Sequence, residues 1–316
     1  MVSIVVATYN GERFIREQLD SLRRQTHRPD EVIISDDRST DATYDRVLSY
    51  IEEYDLRSWK VTVNRENKGY CRNFLDTLIT AKGDYIFLSD QDDVWLPDKV
   101  ERMLKIMEEN KNIWSLTTNF QCIDSNGKPL ALAYHRWQRR NKLKKISLKA
   151  FMNDWGYPGM AMAIKKDCLA FIRPMLELPL ISHDWLLNVI CAENGRLYFY
   201  NEKLTLYRQH GHNQLGASNL HDFSQTRAMR VKEAEELYQL MELVLKKLSD
   251  IEADDKRREI AYVRGRKLLY QMRYTALKEK SFVRWLNCLR YVRYTPNIHV
   301  LLGDLLNFLS WDKKYQ

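Results

Sequence analysis

Short runs of β-branched and aromatic residues alternate with amphipathic stretches through the first hundred positions. Val2–Ala7, Glu31–Ser35, Lys60–Asn64 and Tyr85–Ser89 have the length and composition of strands. Between them, segments near Glu12–Arg24, Ala42–Tyr54, Cys71–Ala81 and Asp98–Glu109 repeat apolar residues at helical spacing. Strands that alternate with helices at this interval predict βαβ units, and hence an α/β Rossmann-like αβα sandwich around a mainly parallel sheet. A later strand-like run covers Tyr198–Leu206, and positions 126–154 are too mixed to assign. From about residue 221 the pattern changes to long helices, over Gln225–Ser249, Asp254–Glu279 and from Phe282 onward. Two regions are therefore expected, an α/β domain over 1–220 and a helical C-terminal region over 221–316.

Ligands of such sheets sit at the carboxyl ends of the strands, so the residues following each strand are the ones to examine. Here they are polar: Thr8-Tyr9-Asn10-Gly11, then Asp36-Asp37-Arg38-Ser39-Thr40-Asp41, then Asn64 with Asn67 and Gly69, then Asp90-Gln91-Asp92-Asp93. Three carboxylates within four residues repel one another unless a cation joins them. Mg²⁺ and Mn²⁺ are held by one or two carboxylates while gripping substrate phosphates. The same acidic turn is also suited to capping the helix that starts near Pro97.

The formal charge of the 316-residue chain is +8, but the excess is uneven. Residues 1–220 carry +2 and residues 221–316 carry +6. A basic tail suits nucleic acid, an anionic membrane surface or solubility alone. Nucleic-acid binding would leave the acidic strand ends without a use, and no nucleic-acid partner is expected. A nucleotidyltransferase would need a glycine-rich basic loop after the first strand, which Thr8-Tyr9-Asn10-Gly11-Glu12 lacks. The five cysteines are scattered and odd in number, which points to a reducing compartment rather than a disulfide framework. No signal peptide or membrane-spanning run is expected, so the chain reads as cytoplasmic. In the tail, Arg284 to Tyr294 sets arginines against Trp285, Leu286, Leu289 and Val292. That arrangement fits an anionic membrane interface on the inner face of the cell membrane, or a packing or homo-oligomer interface.

The strand at Val2–Asn10, the DDRSTD at 36–41, the Asn67-Lys68-Gly69 loop and SDQDDVWLPDK at 89–99 together resemble the family 2 glycosyltransferases of GT-A fold. Ser182-His183-Asp184-Trp185 and Tyr207-Arg208-Gln209-His210, with Asn213 and Gly216, extend the resemblance to about residue 216. The DQDDVW, HDW and RQHGHN forms are most similar to the rhamnosyltransferase-like branch, which builds bacterial cell-surface polysaccharides. The resemblance implies an inverting, Mn²⁺- or Mg²⁺-dependent transfer from a nucleotide-sugar donor to a glycan acceptor, including acceptors linked to polyprenyl diphosphate. It leans toward dTDP-rhamnose over UDP-sugars.

Residue roles follow from the same resemblance. Asp37 stands where relatives bind the nucleobase, with Ala7, Tyr9 and Arg72 at positions that contact base, ribose or phosphate. Ala7 departs from the hydroxyl-bearing residue of some relatives. Asp90 and Asp92 correspond to the family's DxD motif, Asp92 as metal ligand and Asp90 on the donor side. Asp184 corresponds to the catalytic base, and one carboxylate suffices to take a proton from an attacking hydroxyl. His210 is expected on the metal, and Arg208, Asp93 and Trp185 on the diphosphate or acceptor, with backbone bonding as the other use of Asp93. Trp155 to Met160 is where relatives shape the acceptor pocket.

Overall fold

The computed structural model describes residues 1–131, 142–153, 156–173, 182–211, 226–249, 257–295 and 298–309. Trp155, His212, Asn213 and Gly216 lie outside the described residues, as does the expected boundary near residue 220. Contacts divide the chain into two compact units. One comprises Met1–Ser147 with Trp155–Gly216; the other comprises Leu148–Asp154 with Ala217–Gln316.

In the first unit the chain runs β1 (Val2–Thr8), α1 (Ile15–Arg23), β2 (Glu31–Asp36), α2 (Thr43–Glu53), β3 (Trp59–Val63), α3 (Tyr70–Leu78) and β4 (Tyr85–Ser89). These elements lie within a few residues of the expected ones. Helix α1 starts later than Glu12 because Gly11 C=O first accepts the Phe14 and Ile15 amides in a turn. Strand β1 is buried along nearly its whole length, which is why it shows a continuous apolar run rather than alternation. The short β5 (Val94–Trp95), α4 (Lys99–Glu109) and β6 (Ser115–Ile123) follow, then β7 (Leu143–Lys145). Next come α5 (Leu148–Asn153), β8 (Met162–Lys165), α6 (Leu169–Ile172), α7 (His183–Glu193) and β9 (Leu197–Arg208).

Among the described residues the sheet order is β3-β2-β1-β4-β8-β6-β9-β5, with β7 paired to β9. The long ladders, β1 with β2 and β4, β2 with β3, and β6 with β9, are parallel; β8 joins β4 and β6 antiparallel. The expected αβα sandwich is present. Its core gathers Ile4, Val6, Leu19, Val32, Ile34, Phe87, Trp95 and Met103, among others. The chain moves outward from β1 to β2 and β3 and then returns to add β4 on the other side. That reversal is the switch point at which a crevice opens beyond the strand ends.

The second unit consists of α5, α8 (Arg227–Ser249), α9 (Arg257–Lys278), α10 (Phe282–Cys288), a 3₁₀ turn over Leu289–Tyr294, and α11 (Ile298–Leu309). The helical tail thus also takes α5, because Asn153 accepts from the Tyr262 hydroxyl and from Arg266. Trp285, expected either on a membrane-facing side or in a packing interface, is buried with Leu269, Ala276, Cys288 and Leu301. The outer faces keep Val283, Leu286, Leu289 and Val292 exposed, and on α11 Ile298, Leu302 and Leu306 at four-residue spacing. No helix among the described residues is long and apolar enough to cross a membrane.

Candidate active site

The loops after β1, β2, β3 and β4 stand at one end of the parallel ladders. Asp36 accepts the Thr8 hydroxyl at 2.8 Å and the Ser39 amide at 2.7 Å, tying the first two tips together. Asp37 is buried and accepts from Asn64 Nδ2 (2.8 Å), the Lys68 amide (2.9 Å) and the Gly69 amide (2.8 Å). Its carboxylate therefore shapes the 67–69 loop, whose Gly69 has φ 78°. Ala7 lies at the strand end opposite Ser35, and Tyr9 is exposed just beyond it. Arg72, on the first turn of α3, pairs with Asp76 at 2.7 Å.

The acidic cluster continues β4. Burial first, then the charges of Asp92 and Asp184, push the Asp90 carboxyl up to about 7, against the opposing effect of Lys99. Asp93 is fully buried, and its carboxyl is held well above the usual range by burial and by Asp92 and Asp90. Its Oδ1 accepts the Arg208 amide at 3.0 Å, while Oδ2 has no hydrogen-bond partner among the described residues. Asp92 meets His210 Nε2 at 2.7 Å. The cluster is short of positive charge, and its carboxylate oxygens are the donors that Mg²⁺ and Mn²⁺ favour, with the His210 imidazole, a common metal ligand, beside them. Among the described residues no group of three or more potential ligands is already assembled. Asp92 with His210 fits the kind of site in which substrate phosphates complete the shell.

Asp184 lies in the first turn of α7, capped by Ser182. Its Oδ2 accepts the Gly159 amide at 3.1 Å, Oδ1 accepts the Trp185 amide at 2.8 Å, and the Ser182 hydroxyl also bonds it. The neighbouring His183 is buried and stacked on Phe74, ring centres 4.1 Å apart. Its imidazole is pushed below the ordinary value by burial. The Asp184 charge adds, after burial and Asp92, to the rise of the Asp90 carboxyl, and, after burial, to that of the Cys71 thiol of α3.

Two expected contact residues, Arg208 and Trp185, are placed differently. Arg208 is buried, and its guanidinium donates to Asp92 C=O at 2.8 Å and to Glu17 at 2.6 Å, with Phe14 4.8 Å below it. Those donors lock β9 to the acidic loop instead of facing a diphosphate. Asp93 takes the backbone bond that was one of its two expected uses, accepting the Arg208 amide and so serving the same lock. Trp185 is only 6% exposed, so its ring is packed within the domain rather than offered to a sugar.

Four residues that motif reading passed over complete the frame. Phe14 stacks on His210, centroids 4.9 Å apart. Glu17 pairs with Arg208. Lys99, fully buried, donates to Met160 C=O at 2.6 Å and Thr205 Oγ1 at 3.0 Å, with its ammonium 3.6 Å from the Trp95 ring centroid. Burial pushes it well below the usual lysine value. Gln91 bridges the loops after β1 and β4. Lys99 carried a sequence signal: a lysine on the apolar side of an amphipathic helix.

The family described as "Glycosyl transferase family 2" matches residues 3–170. The dTDP-rhamnosyl transferase RfbG of Shigella flexneri is 32% identical over 231 residues, covering 67% of this chain and 74% of that protein. Matches to uncharacterised mycobacterial proteins, 30% identical, span 59% of their length. Among solved structures, S. aureus TarS in complex with UDP-GlcNAc superposes with a TM-score of 0.62 at 16% identity, over 100% of this chain and 93% of that one. The mannosyltransferase PcManGT from Pyrobaculum calidifontis, in complex with GDP-Man and Mn2+, gives 0.53 at 17% identity, over 99% and 88%. At such identities these two structures are alike in fold alone.

Proposed function

Since the chain belongs to glycosyl transferase family 2, we propose that it is an inverting transferase that moves a sugar from a nucleotide diphosphate to a glycan hydroxyl. The donor we assign is dTDP-rhamnose, following the Shigella relative, and the product a bacterial cell-surface polysaccharide. The observation that supports this reading best is the anchoring of Asp184 by the Gly159 amide, which opens a turn over Gly159–Ala161 that packs against β4, the strand leading into the acidic loop. One carboxylate beside the donor's anomeric carbon can take the acceptor's proton as its oxygen attacks, and a single displacement inverts the centre. A double displacement would require a protein nucleophile in addition.

Asp184 is oriented for the task. The Gly159 and Trp185 amides fix both of its oxygens. Asp37, Ala7, Tyr9 and Arg72 form the donor's nucleoside end, and Asp90 faces its diphosphate. Asp92 and His210 would hold the divalent cation, Mn²⁺ or Mg²⁺, which when bound supplies Lewis-acid stabilisation of the leaving diphosphate. Arg208 and Asp93 hold the acidic loop in place.

The test is hydrolysis and transfer across a panel of nucleotide sugars, with and without Mn²⁺ or Mg²⁺, for wild type, Asp92→Asn and Asp184→Asn. General-base loss is expected to lower kcat roughly 10²- to 10⁴-fold in Asp184→Asn. A folded Asp184→Asn protein with wild-type turnover would refute the assignment.

The helical unit we assign to the inner face of the cell membrane, where an acceptor carried on polyprenyl diphosphate would be presented. Support comes from the +6 charge of residues 221–316 and the exposed apolar side chains of α10, the following turn and α11. Homo-oligomer formation through the same face is the competing use.

A further inference from the structure

The crevice at the switch point lies between the loop after β1 and the loop after β4, and one side chain spans it. Gln91 Oε1 accepts the Tyr9 N–H at 2.8 Å, and Gln91 Nε2 donates to the Tyr9 carbonyl at 2.9 Å. A carboxamide that meets both main-chain groups of one residue reproduces a pair of ladder bonds. The β1–β4 ladder ends at Val6 and Ser89, so the side chain carries strand-like pairing past the point where the backbones part. On its other side the same loop is tied to the β2 tip, through Asn10 N–H to Ser39 and Thr40 N–H to Asn10 Oδ1.

Gly11 makes room for this bridge. A Cβ there would lie 2.2 Å from Gln91 Oε1, 2.3 Å from Cδ and 2.8 Å from Nε2, its three nearest neighbours. Gly11 does not have a left-handed φ, so its backbone conformation is open to alanine. What the position excludes is a side chain beneath the carboxamide.

We propose that Gln91 is a positioning residue for the donor. It sets the spacing between the Tyr9 loop, which takes the nucleoside end, and Asp90 and Asp92, which flank it in sequence and take the diphosphate end. The inference rests on the transferase reading of the site. A nucleoside diphosphate touches both loops at once, so a loosened bridge penalises binding of the whole ligand in ground and transition states alike. The loss therefore falls on KM and Kd more than on kcat.

The experiment titrates UDP, dTDP and GDP with Mn²⁺ into the full chain, as wild type, Gln91→Ala, Gln91→Glu, Gly11→Ala and the Gln91→Ala/Gly11→Ala double variant. Amide exchange at Tyr9 is followed in the nucleotide-free proteins. Gln91→Ala is expected to speed Tyr9 exchange and weaken the best nucleotide roughly tenfold, the scale of one or two net hydrogen bonds. Gln91→Glu is expected to bind more weakly still, because a carboxylate then faces the Tyr9 carbonyl. Gly11→Ala should match Gln91→Ala, and the double variant should be no worse than Gln91→Ala, since the obstructing carboxamide is gone. Unchanged Kd in both Gln91 variants, or losses that add in the double variant, would overturn the proposal. Wild type that binds none of the three nucleotides would overturn the transferase reading and the donor role with it; Tyr9 exchange still reports whether the bridge itself exists.

Discussion

Replacing Gly159 by alanine tests how tightly the candidate base is held. The added Cβ would stand 2.7 Å from His183 Nε2 and 3.4 Å from Asp184 Cβ. Ordinary carbon–nitrogen contact begins near 3.4 Å, so about 0.7 Å of overlap falls on the imidazole. His183 has little room to yield: it is 5% exposed and stacked against Phe74 at 4.1 Å. The start of α7 must then shift, carrying Asp184 and stretching the 3.1 Å bond from the Gly159 amide. Overpacking of this kind costs about 1–3 kcal/mol. Displacing a catalytic group by about 1 Å lowers turnover on the order of a hundredfold. Thermal unfolding and steady-state kinetics on the same preparation separate the two effects, and His183→Ala in the alanine background should recover part of both by removing the obstructing ring. A Gly159→Ala protein with wild-type Tm and kcat would show that Asp184 is not held by this packing.

Other consequences are equally direct. Asp90 has a folded-state carboxyl raised from 3.8 to about 7, so it favours folding only while protonated. That contribution is complete below about 3.8 and is lost as pH rises through about 7. Urea unfolding without divalent cations should therefore show Asp90→Asn gaining on wild type between about pH 4 and 7; parallel profiles would discount the charge crowding. In the helical unit, Asp304 is fully buried and accepts from Arg273 Nε at 2.7 Å, Arg273 Nη2 at 3.1 Å and Arg230 Nη1 at 3.4 Å. Asp304→Asn removes the buried carboxylate that both guanidiniums share, with Glu233 remaining 3.9 Å from Arg273, and should cost about 3 kcal/mol in chemical denaturation. Converting all three residues to apolar ones should recover most of that loss. For the membrane assignment, Leu302→Ser with Leu306→Ser should reduce cosedimentation with anionic vesicles; equal recovery with vesicles, or no vesicle binding by the wild type, would remove it.

Much of the first hundred residues is legible from pattern alone. Buried parallel strands are continuous apolar runs, amphipathic helices repeat at fixed spacing, and both signals are local. Strands β6 and β8 escaped because Ser115–Ile123 mixes threonine, asparagine and glutamine with apolar residues, and Met162–Lys165 is only four residues long. The charged motifs were easy to find but their directions were not. Arg208 and Asp93 share a motif neighbourhood with His210 and Asp92, yet one pair is buried as a lock and the other joins an imidazole to a carboxylate at the end of β4. Nothing in residue identity separates a guanidinium bound to main-chain carbonyls from one open to phosphate. Trp185 and Trp285 show the same limit, since an aromatic side chain at a helix start reads alike whether it faces a ligand or the core.

By itself the chain's residue order determines the α/β architecture, the family, and the fact that carboxylates follow the strands. These depend on periodicity and on residues close in sequence, where hydrophobic burial acts through simple spacing. Only the tertiary structure decided which polar groups meet: Gln91 with Tyr9 across 82 positions, Arg208 with Glu17 across 191, and Asp184 with the Gly159 amide across 25. Hydrogen bonds and charge coupling depend on distances of a few ångströms and on direction. Such distances are set when separate elements pack together, and no local pattern encodes them.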